Sequence, residues 1–260
     1  MYGKTIMNIT GKLVSSSVRH YLSTAKLYYE SYDEPRFQPG TKLFNEVLEI
    51  VSFTYQNPYE TILHTVRGSN TLYVLRNEAQ SGPIACCSFI QYGQELTLND
   101  NDRTIPVVYH NLAISNEKVK NTGLIKKLFE YFYCELQKRK QRQPQLPILL
   151  YYVTPTPSIV YLADQIILNT VPSLNDYNGA MFTDQEWQIA NELRKLRNWP
   201  IAVKSSNENP FVLKGIMRSR YTANERLRIE KTVKKTNFKV FEDLSIDESN
   251  GDRLLRFVFI

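Results

Sequence analysis

The stretch between residues 107 and 128 combines residue types that bind anions. An apolar run that reads as a strand ends near residue 114, a short polar loop follows, and an amphipathic helical pattern begins near residue 122. A helix start leaves backbone N–H groups unpaired, and Gly123 permits close approach to them. Four lysines surround this point: Lys118, Lys120, Lys126 and Lys127. The spacing predicts a phosphate-binding turn; an ordinary strand-to-helix turn with solvated lysines is the alternative.

A histidine on the same strand could move a proton. His110 lies just before the loop, and an imidazole can accept a proton near neutral pH. A single histidine on a half-buried strand is also a common hydrogen-bonded structural group. Both interpretations stay open from the sequence. His20 and His64 fall in the first third of the chain and receive no role.

The elements that must position this turn follow from hydrophobic periodicity. Apolar and tyrosine residues at steps of three and four predict helices over 18–32 and 43–51, and Asn57-Pro58 predicts the start of a third. After Gly68 the pattern changes to short runs separated by turn residues, which predicts an antiparallel meander. Its strands are predicted at 71–76, 83–90, 95–98 and 106–114, with breaks that include Gly93 and residues 99–102.

A helical stripe over 122–138 and a continuous apolar strand over 146–154 complete a strand-helix-strand unit. Residues 157–215 contain several prolines around one predicted helix, 184–198, and are interpreted as an insertion. Three closing elements are predicted: a helix over 222–236, a strand over 254–259 after a turn at Asn250-Gly251, and a possible partner strand over 241–246.

This order of elements resembles the GNAT superfamily, the Gcn5-related N-acyltransferases. The resemblance covers roughly residues 15–160 and 220–260. The family signature has Arg or Gln, two free positions, Gly, one free position, then Gly or Ala. The corresponding residues here are Lys120, Asn121, Thr122, Gly123, Leu124 and Ile125. Lys120 and Ile125 depart from that signature, and Gly123 agrees with it.

The resemblance implies a coenzyme site with a defined backbone path. The backbone of Leu112, Ala113 and Ile114 would pair with the pantetheine arm of acyl-coenzyme A, and the amides from Lys120 to Ile125 would hold its pyrophosphate. His110 lies near the position of a base in many relatives. Tyr161 lies where many relatives carry a tyrosine acid.

Composition limits the other classes of protein. The 260 residues are 42% hydrophobic and 12% aromatic, which excludes a disordered or collagen-like chain. Cys86, Cys87 and Cys134 show no disulfide or metal spacing, and a reducing cytosol fits them best. Zinc-hydrolase, α/β-hydrolase and P-loop motifs are not found, and no apolar run is long enough to span a membrane. The order of elements and the resemblance to the GNAT superfamily together imply an α+β fold with a mixed, mostly antiparallel sheet flanked by helices, as one domain over 1–260 with the insertion after the fifth strand.

The expected function is transfer of an acetyl or other acyl group from acyl-coenzyme A to a small-molecule or peptide amine, without a metal. A catalytically inactive domain that binds acyl-coenzyme A or a protein is the first alternative. Nucleic-acid binding is less favoured, because the basic stretches 118–142 and 214–239 carry no accompanying motif. A cytoplasmic location is expected, and a homodimer is left open.

Overall fold

A computed structural model describes residues 6–7, 27–77, 82–98, 103–173, 182–204, 208–236 and 240–260. The strands are β1 (Ile6–Met7), β2 (Leu27–Asp33), β3 (Thr71–Asn77), β4 (Ile84–Leu98), β5 (Arg103–Ser115), β6 (Leu149–Thr154), β7 (Val212–Leu213) and β8 (Arg253–Phe259). The helices are α1 (Lys42–Ser52), α2 (Pro58–Arg67), α3 (Leu124–Arg142), α4 (Pro157–Asp164), α5 (Asp184–Leu196), α6 (Ala223–Thr236) and α7 (Val240–Asp243).

The strands form one eight-stranded sheet in the order β1-β2-β3-β4-β5-β6-β8-β7. Every neighbouring pair is antiparallel except β5 and β6, which are parallel and joined through α3. A parallel pair needs such a crossover, because the chain must return to the starting edge of the sheet. The predicted α+β class and the strand-helix-strand unit are confirmed.

Helices cover both faces of this sheet. The apolar stripe of α3 packs against Val108, Leu150 and Val258. Neighbouring residues on the same strands point the other way, since side chains alternate along a strand. There α5 packs against Tyr109 and Tyr151. Helices α1 and α2 cover the β3–β4 half of that second face.

The predicted helix over 18–32 is wrong where the structure describes it. Residues 27–33 form β2, which pairs with all seven residues of β3. Leu27 and Tyr29 are buried, whereas Tyr28 is only partly so, an alternation typical of a strand. The tyrosines are spaced as they would be on one face of a helix, but the segment forms a strand because it pairs with β3. The remainder of the predicted helix, including Val18 and Ala25, lies outside the described residues.

Two later expectations also need correction. The two strands predicted over 83–90 and 95–98 are one strand, β4 (Ile84–Leu98), and Gly93, at φ 79°, lies where its register with β5 shifts. A bulge of this kind keeps one strand continuous where a turn would have ended it. Residues 240–243 form the short helix α7 instead of a strand, and β8 pairs with β6 and β7. The predicted turn at 99–102 lies outside the described residues.

Segment 157–215, interpreted as an insertion, contributes α4, α5 and β7 to the fold. Its buried residues join the same hydrophobic cluster as the central strands. These include Val160, Ile189, Leu193, Phe211 and Leu213, each no more than 1% exposed. Arg194 on α5 donates hydrogen bonds to the carbonyl oxygens of Pro200, Asn209, Pro210 and Val212. The segment is therefore tied to the sheet by apolar packing and to itself by this arginine.

Candidate active site

The sheet opens between β5 and β6. Their parallel pairing runs from Val107↔Leu149 to His110↔Tyr152, but β5 continues to Ser115 while Thr154 of β6 pairs with β8. The two strands therefore separate beyond His110. Strand β5 keeps β4 as a partner on its other side as far as Ser115. Two adjoining cavities lie at this opening.

The first, which we call the donor cavity, has a volume of about 250 Å³ and lies beside the start of α3. Seven predicted coenzyme residues line it: Ala113, Ile114, Lys120, Asn121, Gly123, Leu124 and Ile125. Leu112 lines the neighbouring cavity instead. The Thr122 hydroxyl donates a hydrogen bond to the Val119 carbonyl, at 2.6 Å, and thereby closes the turn. The structure brings most of the predicted coenzyme residues together around one space.

The backbone turn before α3 depends on glycine. Gly123 is the N-cap of α3 with φ 81°, and a Cβ added there would meet no atom within 4 Å. The requirement is therefore the left-handed backbone, which costs a residue with a Cβ about 1–2 kcal/mol. No described side chain caps this helix start. The residues at this helix start, where the first amides and the positive end of the helix dipole lie, line the donor cavity.

Two glutamates of the protein neutralise the charge of Lys120. Its side chain is 8% exposed, and its Nζ lies 2.8 Å from Glu225 Oε2 and 2.7 Å from Glu117 Oε2. Burial would raise the pKa of Glu225, but hydrogen bonds from Arg228 and Lys120 outweigh it, and the pKa is lowered. This pairing joins the turn to α6. Because glutamates neutralise its charge, the Lys120 side chain is not a free cation at the donor cavity.

Two other predicted lysines also have partners. Lys127 pairs with Glu130 at 2.8 Å, and Lys126 donates to Gln165 Oε1 at 2.9 Å. Lys118 is exposed. The four lysines therefore form no single unopposed patch, because glutamates neutralise two of them.

The second space, the acceptor cavity, has a volume of about 90 Å³. The end of β5, helix α2 and β8 border it through Asn111, Thr65 and Arg253. The Asn111 amide donates to the Thr65 carbonyl at 3.1 Å and to Ser69 Oγ at 3.0 Å, which holds α2 against the strand.

Two buried tyrosines separate the two cavities and line both of them. The ring centroids of Tyr55 and Tyr221 are 5.1 Å apart, and the two residues form an isolated β-bridge. The Tyr221 hydroxyl lies 3.2 Å from Thr156 Oγ1. Burial raises the pKa of both tyrosines, so both are protonated at neutral pH. Sequence reasoning missed this pair, because the two tyrosines lie 166 positions apart in the sequence and belong to no common motif.

His110 lies at the point where the strands separate. It is 6% exposed, hydrogen-bonds through Nε2 to Ser88 Oγ, and packs its ring 4.5 Å from that of Phe129. Burial lowers the pKa of His110 to about 3. The imidazole is therefore neutral at physiological pH and weakly basic, although it lines the acceptor cavity.

Tyr161 is in a different position. It lies on α4 with 51% of its surface exposed, and it is not among the residues that line either cavity. Cys86 and Cys87 are buried and form no disulfide, and burial raises the pKa of Cys87 to about 12, as expected of apolar packing residues. Over the described residues, no helix has the length and apolarity to cross a bilayer, and no three metal-binding side chains cluster.

Comparison with known proteins gives structural similarity alone. No family model and no curated protein matches the sequence. The ribosomal-protein-S18-alanine N-acetyltransferase from Escherichia coli is 14% identical over 56% of this chain and 79% of that chain, with a TM-score of 0.37. AtaT complexed with acetyl-methionyl-tRNAfMet is 12% identical over 56% and 87%, with a TM-score of 0.36. An IAA acetyltransferase from Bacillus cereus is 13% identical over 54% and 74%, with a TM-score of 0.33. Identities and TM-scores this low do not establish an activity that this chain shares with those proteins.

Proposed function

We propose that this chain is an acyl-coenzyme A-dependent N-acyltransferase that moves an acyl group directly to an amine. The observation that carries the proposal is the opening between β5 and β6, where two cavities meet at Tyr55, Ala113 and Tyr221. One cavity borders the glycine turn of α3 and the other borders α2. A thioester and an amine bound in them would meet at the shared wall.

The donor side offers two kinds of backbone contact. Beyond His110, the edge of β5 that faces β6 has no described strand pairing, so its N–H and C=O groups can bind the amide groups of a pantetheine arm. The first amides of α3 can bind the pyrophosphate, because a helix start is an anion site. Residues 112–114 and 120–125 would supply these contacts.

Transfer exchanges a C–S bond for a C–N bond and moves one proton from nitrogen to sulfur. The amine nitrogen attacks the thioester carbonyl carbon, the C–N bond forms and the C–S bond breaks. The nitrogen gives up a proton to a base, and the sulfur takes a proton from an acid. Holding both reactants at one place supplies much of the rate. We assign the acid role to Tyr221, because its protonated hydroxyl lies at the wall shared by the cavities, whereas Tyr161 is exposed. His110 remains a candidate for the base, limited by its low pKa.

The alternative is an inactive domain that binds acyl-coenzyme A or a protein partner. The observation in its favour is Ile125, which lines the donor cavity at the position where the GNAT signature has a small residue. A branched side chain there narrows the space beside the helix start. Binding and catalysis therefore need separate measurements.

The test is isothermal calorimetry with coenzyme A and acetyl-coenzyme A. Wild-type protein is expected to bind with micromolar affinity, about −8 kcal/mol. Gly123→Asp should abolish binding, because it places a carboxylate at the proposed pyrophosphate site. Gly40→Asp is the matched control: Gly40 also has a positive φ, 89°, with no atom within 4 Å of an added Cβ, and lies outside both cavities.

Three outcomes separate the candidates. Binding that Gly123→Asp removes and Gly40→Asp retains, followed by release of free thiol with an amine, supports the transferase. Binding without thiol release from any amine in a broad panel supports the inactive domain. No binding by well-folded wild-type protein contradicts both forms of the coenzyme proposal.

A further inference from the structure

We infer that the acceptor is a small amine that carries an anionic group, a carboxylate or a phosphate, and that Arg253 binds this group in the acceptor cavity. The inference rests on the proposed function, since it names the substrate class for the same site. Three observations carry it: the burial of Arg253, its partners, and the charge at the entrance to the cavity.

Arg253 is a buried cation whose described partners are uncharged. It is 4% exposed and lines the acceptor cavity. Its Nη1 donates to the Asp252 carbonyl at 2.7 Å, and its Nη2 donates to the Ser219 carbonyl at 3.0 Å. A guanidinium has five N–H donors, so these two bonds leave most of them unused. No ion pair joins Arg253 to a carboxylate in the described part of the chain.

The guanidinium groups of the other buried arginines have a carboxylate partner or more hydrogen bonds. Arg256 is paired with Asp164 at 2.6 Å, and Arg76 with Glu30 at 2.9 Å. Arg194 has no described carboxylate partner but donates to four carbonyl oxygens and lines neither cavity. Arg253 is the member of this group that combines few partners with a position on a cavity wall.

Electrostatics explains why this combination favours an anionic ligand. Burying a charge without a counter-charge is costly, and a carboxylate or phosphate beside it offsets that cost. A guanidinium binds either group through two parallel hydrogen bonds. Because Arg253 lies in the same cavity as Tyr221, the anion would hold the amine close to the wall shared with the donor cavity.

A cavity of about 490 Å³ adjoins the acceptor cavity, with Thr61, His64, Met217 and Ser219 common to both, and we take it as the entrance. Its lining carries the same sign of charge as Arg253. Arg67 and Arg218 line this entrance against one carboxylate, Glu60. Desolvation, and then the positive charges of Arg197, Arg218 and Arg67, lower the pKa of His64, which lines both cavities. Such an entrance attracts anions by long-range steering.

The size of the cavity limits the acceptor. About 90 Å³ beside the tyrosine pair admits a small head group, so a compact amine fits better than a bulky one. Carboxylate and phosphate share the recognition chemistry of Arg253. The two anions are therefore separate arms of the test.

The first experiment measures anion binding independently of catalysis. Inorganic phosphate and acetate are titrated into protein saturated with coenzyme A, so that the donor cavity is filled. Arg253→Gln should weaken binding of the preferred anion about 10- to 100-fold, the range for a lost charged hydrogen bond. Arg253→Lys should retain part of the affinity. Arg142→Gln, an exposed change on α3 outside both cavities, should alter nothing.

The second experiment measures acceptor preference. Glycine is compared with glycinamide, and O-phosphoethanolamine with ethanolamine, by release of free thiol from acetyl-coenzyme A. The charged member of one pair should have the lower KM, and Arg253→Gln should reduce that preference at least about 10-fold with less effect on kcat. Arg218→Gln, an exposed change at the entrance, should weaken the preference less without affecting the buried core.

The outcomes distinguish this inference from the proposed function. Failure of wild-type protein to bind coenzyme A contradicts the function, and anion titration of the free protein then tests Arg253 by itself. Coenzyme binding with equal use of charged and neutral amines overturns the anionic acceptor alone. Anion affinity that is the same in wild type, Arg253→Gln and Arg142→Gln also overturns it.

Discussion

Acidification should destabilise this protein through His110, by an amount that follows from its burial. The pKa of His110 falls from 6.5 to about 3 on folding, because the imidazole is 6% exposed and packs against Phe129. Between these values the unfolded chain binds a proton that the folded chain does not. Stability is therefore unaffected well above pH 6.5 and is lost as the pH falls through the window toward 3.

The magnitude follows from proton linkage. One group in this window contributes a slope of about 1.4 kcal/mol per pH unit, and integration from pH 7 to pH 4 gives a loss of about 3 kcal/mol. This loss is a large part of the free energy of unfolding of a typical folded protein, which is roughly 5–15 kcal/mol. The loss of unfolding free energy should be measurable at pH values where many carboxylates are still ionised.

Urea denaturation of wild type and His110→Asn at half-unit steps from pH 7 to pH 4 isolates the effect. Asn does not titrate, and it can hydrogen-bond to Ser88, so the carboxylates affect both proteins alike. The difference in unfolding free energy between the two should fall by about 3 kcal/mol over the range. A difference that stays constant with pH would refute the argument that His110 is buried in the neutral form.

Three further predictions concern the turn, the cavity wall and the segment after β6. Lys120→Met should lower the free energy of unfolding by about 3 kcal/mol in urea denaturation, because Glu225 stays buried with one partner fewer. Lys118→Met, a change at an exposed lysine, should alter it by less than about 0.5 kcal/mol. Equal effects of the two substitutions would contradict the buried pair. Tyr221→Phe should reduce kcat for thiol release about 100-fold while calorimetry shows unchanged coenzyme A affinity; unchanged kcat would remove the assigned acid. Deletion of residues 172–210 removes α5 and should abolish cooperative unfolding followed by circular dichroism, whereas a folded deletion protein would show that the segment is dispensable for the core.

Much of the element order was predictable from local patterns. Local patterns identify the apolar faces of α1 and α3, and the N-cap residue and proline at the start of α2. Each pattern spans roughly ten to twenty neighbouring residues, a few turns of helix. The meander and the parallel unit follow from turn residues and from the continuous apolar strand β6. The failure at residues 27–33 has a specific cause: closely spaced tyrosines fit two periods, and only the partner β3 selects one.

The candidate site also combines features that local sequence predicts with features that depend on residues distant in the chain. The turn at Gly123 could be predicted from the sequence, because a glycine directly before an amphipathic helix is a local signal. The three-dimensional fold was needed to show where β5 and β6 separate, that Tyr55 contacts Tyr221, and that Arg253 is buried beside them. The same holds for the low pKa of His110 and for the pairing of Lys120 with Glu225. Burial, pairing and pKa depend on neighbours that are distant in the chain, so no local pattern of residues specifies them.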